Sequence, residues 1–301
     1  MDLTNFNRPT LLVIAGATAV GKTAATIGLA KKLGTSVISA DSRQFYREMK
    51  IGTAAPTIEE MDGVPHYFIG NLSISDYYNV YKFEQDVLAL LPTLFEKNNI
   101  VIMTGGSGLY IDAVCNGIDD IPDPDMKIRD SVMALLRDEG IEALRNRLKL
   151  LDPEFYQTND MSNHKRMVRA LEVCLQTGKP YSERLHKQRQ TRPFDIVKIC
   201  LTRPREELFA RINARTDSML ANGWLEEAKS LYPYRHLNSL NTVGYKELFD
   251  YFDKKLTLSE AIEKIKTNTR RYAKRQMTWF KRDSEMQMIT LDESFPHCIG
   301  V

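Results

Sequence analysis

The chain has 301 residues, 43% hydrophobic and 27% charged, an ordinary globular composition that can bury one large domain or a domain with a sizeable insertion. No apolar stretch approaches the length needed to span a bilayer, and Leu11–Ala15 is too short for a signal-peptide core, so a cytoplasmic protein without membrane contact is expected. Net charge is only +2, and Cys115, Cys174, Cys200 and Cys298 lie far apart without a Cys-x-x-Cys pair. That spacing argues against a zinc site or a disulfide framework and for buried or incidental thiols.

Leu11–Ala15 is a short apolar run that reads as a buried parallel strand, directly before Gly16-Ala-Thr-Ala-Val-Gly-Lys-Thr23. Ala24–Leu33 carries Ile27, Ala30 and Leu33 at helical spacing, with Gly34 as its stop. Ser36–Ala40 is a second strand, ending at Asp41. Tyr81–Phe95 reads as a helix that Pro92 should kink or shorten. Ile100–Met103 is a third strand, followed by Thr104-Gly-Gly-Ser-Gly-Leu-Tyr110.

After Gly117 comes a connection rich in proline and acid, Asp119–Asp125, then helices over Met126–Glu139, Ile141–Leu150 and His164–Thr177, the last stopped by Gly178. Strand pattern resumes at Asp195–Leu201, and helices follow at Arg205–Asn222 and Leu258–Arg282. The expected fold is α/β: a P-loop-type parallel sheet flanked by helices, with an all-helical insertion. Residues 1–119 and 192–301 form the catalytic core in this reading, and 120–191 the insertion.

Gly-x-x-x-x-Gly-Lys-Thr between a strand and a helix is a phosphate loop. Its glycines let backbone N–H groups of Gly16, Ala17, Thr18, Ala19, Val20 and Gly21 turn toward a phosphate, and the next helix adds its positive end. Lys22 supplies a cation, and the Thr23 hydroxyl can ligate Mg²⁺. The pattern identifies a di- or triphosphate without saying which. Many nucleotide hydrolases hold Mg²⁺ with an acid ending a later strand, but Ile100–Met103 runs into Thr104-Gly-Gly. The acid ends the second strand instead. Asp41 is therefore placed to act on a second substrate beside the phosphates, unless it only caps a helix.

At these residues the chain resembles the bacterial tRNA dimethylallyltransferases, or tRNA isopentenyltransferases. Matching blocks run in family order over nearly the whole chain: Gly16–Thr23, Asp41–Tyr46 into Lys50–Pro56, Val64–His66, Gly105–Tyr110, Arg169–Val173, Thr242–Tyr245 and Tyr272–Phe280. The resemblance implies transfer of a dimethylallyl group from dimethylallyl diphosphate to the exocyclic amine of the adenosine immediately 3′ of the anticodon. The loop and Mg²⁺ would hold the diphosphate, helped by Arg211 or Arg215, and Asp41 would be the base on the amine. By the same resemblance, tRNA contacts fall on Asp41, Ser42, Arg43, Gln44, Ser107, Arg129, the run Lys165, Arg166, Met167, Val168, Arg169, and the run Asn241, Thr242, Val243, Gly244, Tyr245, Lys246. A monomer engaging the anticodon stem-loop is expected. Ala17 replaces the family's usual Pro, Val20 a small polar residue, and Ser107 a Thr; all three leave the reacting groups intact.

RNA binding should leave a basic footprint, and from Lys264 to Arg282 there are eight cations and no acid. Ile265, Tyr272 and Trp279, seven apart, read as the stripe facing the core, with the cations outward. The five histidines (His66, His164, His186, His236, His297) lack metal-ligand spacing. Rival readings are a nucleotide kinase, which would consume ATP, a prenyltransferase for free adenine nucleotides, which would not need the basic insertion, and a non-catalytic RNA-binding module, which leaves Lys22 and Asp41 without a purpose.

Overall fold

The computed structural model describes residues 7–185 and 190–291, so His186, His297 and Cys298 lie outside the described residues. The chain divides into two compact units, residues 1–116 with 191–301, and residues 117–190. The first unit begins with β1 (Thr10–Gly16), α1 (Lys22–Leu33), β2 (Val37–Ser39), α2 (Ile58–Met61), β3 (His66–Tyr67), α3 (Val80–Phe95), β4 (Ile100–Gly105) and α4 (Gly108–Asn116). The second unit holds α5 (Met126–Glu139), α6 (Ile141–Leu151), α7 (Pro153–Thr158) and α8 (His164–Thr177). The first unit then resumes with β5 (Asp195–Thr202), α9 (Arg205–Ala221), α10 (Trp224–Leu231), α11 (Tyr245–Phe252), α12 (Leu258–Phe280) and β6 (Gln287–Thr290).

The six strands pair in the order β3-β2-β4-β1-β5-β6, and every pairing is parallel. A strand covered on both faces has to be apolar throughout, and β1 is buried at all seven positions. Leu12 and Ile14 pack with Ile27 and Ala30 of α1 and Ile212 of α9. Leu11, Val13 and Ala15 point the other way, onto Phe83 and Val87 of α3, Ile111 of α4 and Phe280 of α12. The α/β expectation with helices on both faces is met.

Pro92 neither stops nor shortens α3, which runs on to Phe95. It stands in the last turn, where its missing N–H removes one bond near an end that is already releasing its carbonyls. Gly34 and Gly178 end α1 and α8 in left-handed conformation, as their positions imply. Cys115, Cys174 and Cys200 are free and buried. Among the described residues, no helix is long and apolar enough to cross a membrane.

The second unit has its own core, built from Val132, Leu144, Leu148, Phe155, Met167, Val168 and Leu171. Buried Asp152 caps α7 by accepting the Phe155 N–H at 2.9 Å, and holds Ser182 through its hydroxyl at 2.6 Å and its N–H at 2.7 Å. In the first unit, Arg192 pairs with Glu84, their side chains 7% and 1% exposed, and donates to the carbonyls of Ala113 and Val114, both at 2.8 Å. Removing one partner of such a pair strands a buried charge. Arg192→Ala should therefore lower unfolding free energy by about 3–5 kcal/mol, read from the shift of the urea midpoint at unchanged slope.

Candidate active site

The phosphate loop leaves β1 through Gly16, where a Cβ would lie 2.9 Å from the Leu201 carbonyl oxygen. Ala19 takes a left-handed conformation (φ 64°) and Gly21 follows at φ 110°. Alternating handedness of this kind turns successive N–H groups toward one concavity. Gly21 is the N-cap of α1 and brings no side chain to its first turn, which leaves that positive end open to an anion. Lys22 folds into the loop and donates to the carbonyls of Gly16 at 3.0 Å and Ala17 at 2.9 Å. Desolvation there brings its pKa down to about 8; Asp41 opposes that shift and Arg215 adds to it. Thr23 is exposed on the first turn of α1.

Three arginines grip the loop from outside. Arg203 donates from Nε to the Val20 carbonyl at 2.7 Å, and Arg211 from Nε to the Ala19 carbonyl at 2.9 Å. Arg215 reaches further in, with long contacts to Thr18 Oγ1 at 3.5 Å and the Thr53 carbonyl at 3.4 Å. Burial lowers the pKa of Arg215 and the charge of Asp41 works against that, while Arg211 stays exposed. Lys22, Arg215 and Asp41 therefore share one electrostatic neighbourhood, and Arg211 braces the loop at its rim.

Asp41 sits two residues beyond β2, at the strand edge that β1 and β4 also reach. Gly105 permits this approach, since a Cβ there would lie 2.2 Å from the Ala40 carbonyl oxygen. No helix starts at Asp41. Its carboxylate accepts the Arg43 N–H at 3.0 Å and closes a turn, so the helix-cap alternative is not realised. Thr104, one residue before the end of β4, is tied inward to the Ile14 carbonyl at 3.0 Å and to Thr26 Oγ1 at 3.2 Å. Ser107 Oγ accepts the Ser42 N–H at 3.0 Å and donates to Ser42 Oγ at 3.2 Å.

Arg43 and Gln44 are turned into the protein. Arg43 Nη1 donates to the carbonyls of Asn238 at 3.1 Å and Ser239 at 3.0 Å, and Nη2 to that of Asn241 at 3.5 Å. Gln44 Nε2 donates to the carbonyls of Thr53 at 3.3 Å and Ala54 at 3.1 Å, and its oxygen accepts from Ser39 at 3.2 Å. Asn241 and Lys246 are exposed and Thr242 and Val243 partly so. Gly244 is buried against Trp224, and Tyr245 is fully buried. The Tyr245 hydroxyl donates to Glu227 at 2.6 Å, and Glu227 accepts the N–H groups of Ile51 at 2.8 Å and Gly52 at 2.9 Å.

In the helical unit, Lys165 and Arg166 are exposed, while Met167 and Val168 point into its core. Both side chains are buried, so any RNA contact of these two would have to avoid their side chains. Arg129 and Arg169 both pair with Glu172, at 3.4 Å and 3.2 Å, and Glu172 is 1% exposed.

On α12 the stripe expected from Ile265, Tyr272 and Trp279 needs correction. The buried face consists of Ala261, Ile265, Ala273, Gln276 and Phe280. Tyr272 stands at its edge, 36% exposed. Trp279 is partly exposed, donating to Asp112 Oδ2 at 2.9 Å with Arg282 over its ring at 3.9 Å. Lys264, Arg271, Lys274, Arg275, Lys281 and Arg282 face outward, whereas Lys266 pairs with Asp217 at 2.8 Å and Arg270 donates to Asn213 at 2.7 Å. Gln276 is a site residue to which the sequence reading assigned no role. It accepts the Thr18 N–H at 2.9 Å and donates to the Gly106 carbonyl at 2.8 Å, bridging the phosphate loop to the end of β4. It lies inside the matching block Tyr272–Phe280, where it is the neutral amide within a run of cations. Among the described residues, no group of three or more His, Cys, Asp or Glu could hold a metal.

The model of the family described as IPP transferase matches residues 44–283. A protein of Phocaeicola vulgatus named tRNA dimethylallyltransferase 1 is 53% identical over 92% of this chain and 92% of its own. One of Azobacteroides pseudotrichonymphae, tRNA dimethylallyltransferase 2, is 51% identical over 96% of this chain and 95% of its own. A solved structure described as a eukaryotic dimethylallyltransferase acting on tRNA is 30% identical with a TM-score of 0.78, covering 93% of this chain and 73% of that one.

The lowered pKa of Lys22 gives anion binding a pH dependence. Below about 8 the free lysine is charged, and above it the charge must be restored on binding. Affinity for magnesium diphosphate should hold up to that pH and weaken beyond it. Calorimetric titration across the range should show the inflection in the wild type and lose it in Lys22→Arg, whose guanidinium stays charged.

Proposed function

The chain belongs to the IPP transferase family, and we infer from that membership, together with the crevice at the strand ends, that it transfers a dimethylallyl group from dimethylallyl diphosphate to the N6 amine of the adenosine 3′ of the anticodon in tRNA. The observation that carries the chemistry is a carboxylate, Asp41, sharing one electrostatic neighbourhood with the cations of a diphosphate cradle, Lys22 and Arg215. A nucleotide kinase would also use the cradle, but the relatives about half identical over nearly the whole chain are named tRNA dimethylallyltransferases.

In the reaction, the bond between the allylic carbon and the diphosphate oxygen breaks and its electron pair leaves with the diphosphate. The amine nitrogen forms the new bond to that carbon. Lys22, Arg215 and the loop N–H groups meet the charge that grows on the departing oxygens. Asp41 takes the proton that the amine sheds as it becomes cationic.

The residues fit Mg²⁺. Mg²⁺ keeps several waters and takes one or two protein oxygens plus substrate phosphates, and the site offers the exposed Thr23 hydroxyl without an acidic cage among the described residues. The Thr23 hydroxyl would hold it, and the chemistry it would supply is neutralisation of leaving-group charge.

Of the two arginines, Arg215 is assigned to the diphosphate, because it reaches Thr18 and neighbours Lys22, and Arg211 to bracing the loop. Ser42 and Ser107, joined to each other beside Asp41, are assigned to the acceptor nucleotide. Arg43 and Gln44 hold the turn that presents it. Residues 117–190 are assigned to the tRNA backbone through Lys165 and Arg166, with Arg129 and Arg169 beside their shared glutamate, and Asn241–Lys246 to tRNA through its exposed members.

Mass analysis of nucleosides from unmodified tRNA incubated with protein, donor and Mg²⁺ should reveal dimethylallyladenosine without ATP consumption. Product on AMP but none on tRNA would reject the reading. Asp41→Asn should lower kcat by about 10²–10⁴, and Arg215→Ala should raise donor KM more than Arg211→Ala. Neutralising Lys165 and Arg166 together should weaken tRNA binding and make it less sensitive to salt. The slope of log affinity against log salt should become shallower by about 0.7–0.9 for each phosphate that is no longer neutralised.

A further inference from the structure

A base drawn out of its stack loses its neighbours on both faces, and pockets that receive such bases return a flat aromatic or apolar surface. Beside Asp41, the side chains of Ser42 and Ser107 offer hydroxyls only. The ring that stands with them is Tyr272. It is 36% exposed at the edge of the buried face of α12, within electrostatic reach of Asp41 and beside the Ser107 side chain. Ser107 is itself tied to Ser42, next to the proposed base. One turn further on, Gln276 anchors the same helix to Thr18 and Gly106 at 2.9 and 2.8 Å, which fixes where the ring can stand. Arg275 lies 5.8 Å from the ring centre. Desolvation, with the charge of Asp41 second, pushes the phenol up to about 12, so it stays neutral through the working range.

We propose that Tyr272 is the surface on which the flipped adenine lies, its ring stacking on the purine beside Asp41 and its helix held there by Gln276. The assignment rests on the reading that the acceptor is an adenine in RNA. It also accounts for an aromatic residue kept partly in solvent on a helix that Ala273, Gln276 and Phe280 already seat. The phenol has no part in proton transfer, and Asp41 remains the base.

The test compares wild type with Tyr272→Phe, Tyr272→Trp and Tyr272→Ala on an unmodified anticodon stem-loop, reading kcat/KM for RNA and, separately, KM for dimethylallyl diphosphate. Stacking on an aromatic side chain corresponds to roughly 5- to 150-fold per base. Tyr272→Ala should lose that much in kcat/KM for RNA at unchanged donor KM, while the Phe and Trp variants stay close to wild type. A stem-loop with 2-aminopurine at the acceptor position should fluoresce more brightly on the Ala variant than on wild type, where the ring quenches it.

An Ala variant equal to wild type on RNA would overturn the assignment. So would a Phe variant as poor as Ala, which places the effect in the hydroxyl, or a parallel rise in donor KM, which places it in the helix. Each of these leaves the transfer reading standing. Wild type inactive on the stem-loop with active donor would overturn both.

Discussion

Parallel pairing is the constraint on which the rest depends. When β2, β4 and β1 run side by side in one direction, whatever follows their carboxyl ends must emerge at one edge of the sheet. The phosphate loop, Asp41 and the Gly105–Ser107 corner are neighbours for that reason alone. The closeness is then set by what is missing from the side chains. Without a Cβ at Gly105 the end of β4 can pass the Ala40 carbonyl, and without one at Gly106 the amide of Gln276 can enter between the loops. Gln276 converts that proximity into a fixed distance, since one side chain satisfies a donor on one loop and an acceptor on the other.

The charges in this crevice are balanced for a visitor that carries its own. Lys22 and Arg215 are both held in surroundings that disfavour their charged forms, with Asp41 as the compensating anion. A bound diphosphate would relieve the cations of that cost, since it supplies the negative charge their surroundings lack. The carbonyls that Arg203 and Arg211 cover on the loop's outer side keep those oxygens from turning inward, where they would repel the same diphosphate.

Much of the fold was legible because strands β1 and β4 are buried on both faces and read as apolar runs, and because α5 and α8 carry caps at both ends. β3 was not, since two half-buried residues, His66 and Tyr67, become a strand only by pairing with β2. α4 was hidden by its opening Gly108, a poor helix former, kept because a Cβ there would meet the Trp279 ring at 2.2 Å. At the site, chain order disclosed the phosphate loop and the acid after the second strand. It could not disclose direction. That Arg43 and Gln44 spend their donors on backbone carbonyls, and that Tyr272 stands within reach of Asp41, depends on where the surrounding elements leave room. A helical period gives a side chain's angle about its own axis and says nothing of what stands opposite.

The tether made by Arg43 has a consequence for how such a chain can change over time. Its three partners, at Asn238, Ser239 and Asn241, are all backbone carbonyls. An anchor of that kind is indifferent to the identity of the residues it holds and sensitive only to the path of the chain. Side chains along that stretch can therefore drift without disturbing the turn at Asp41, whereas the gain or loss of a single residue would pull on it. Substitution and insertion, equal in any count of differences between two sequences, would here have opposite outcomes.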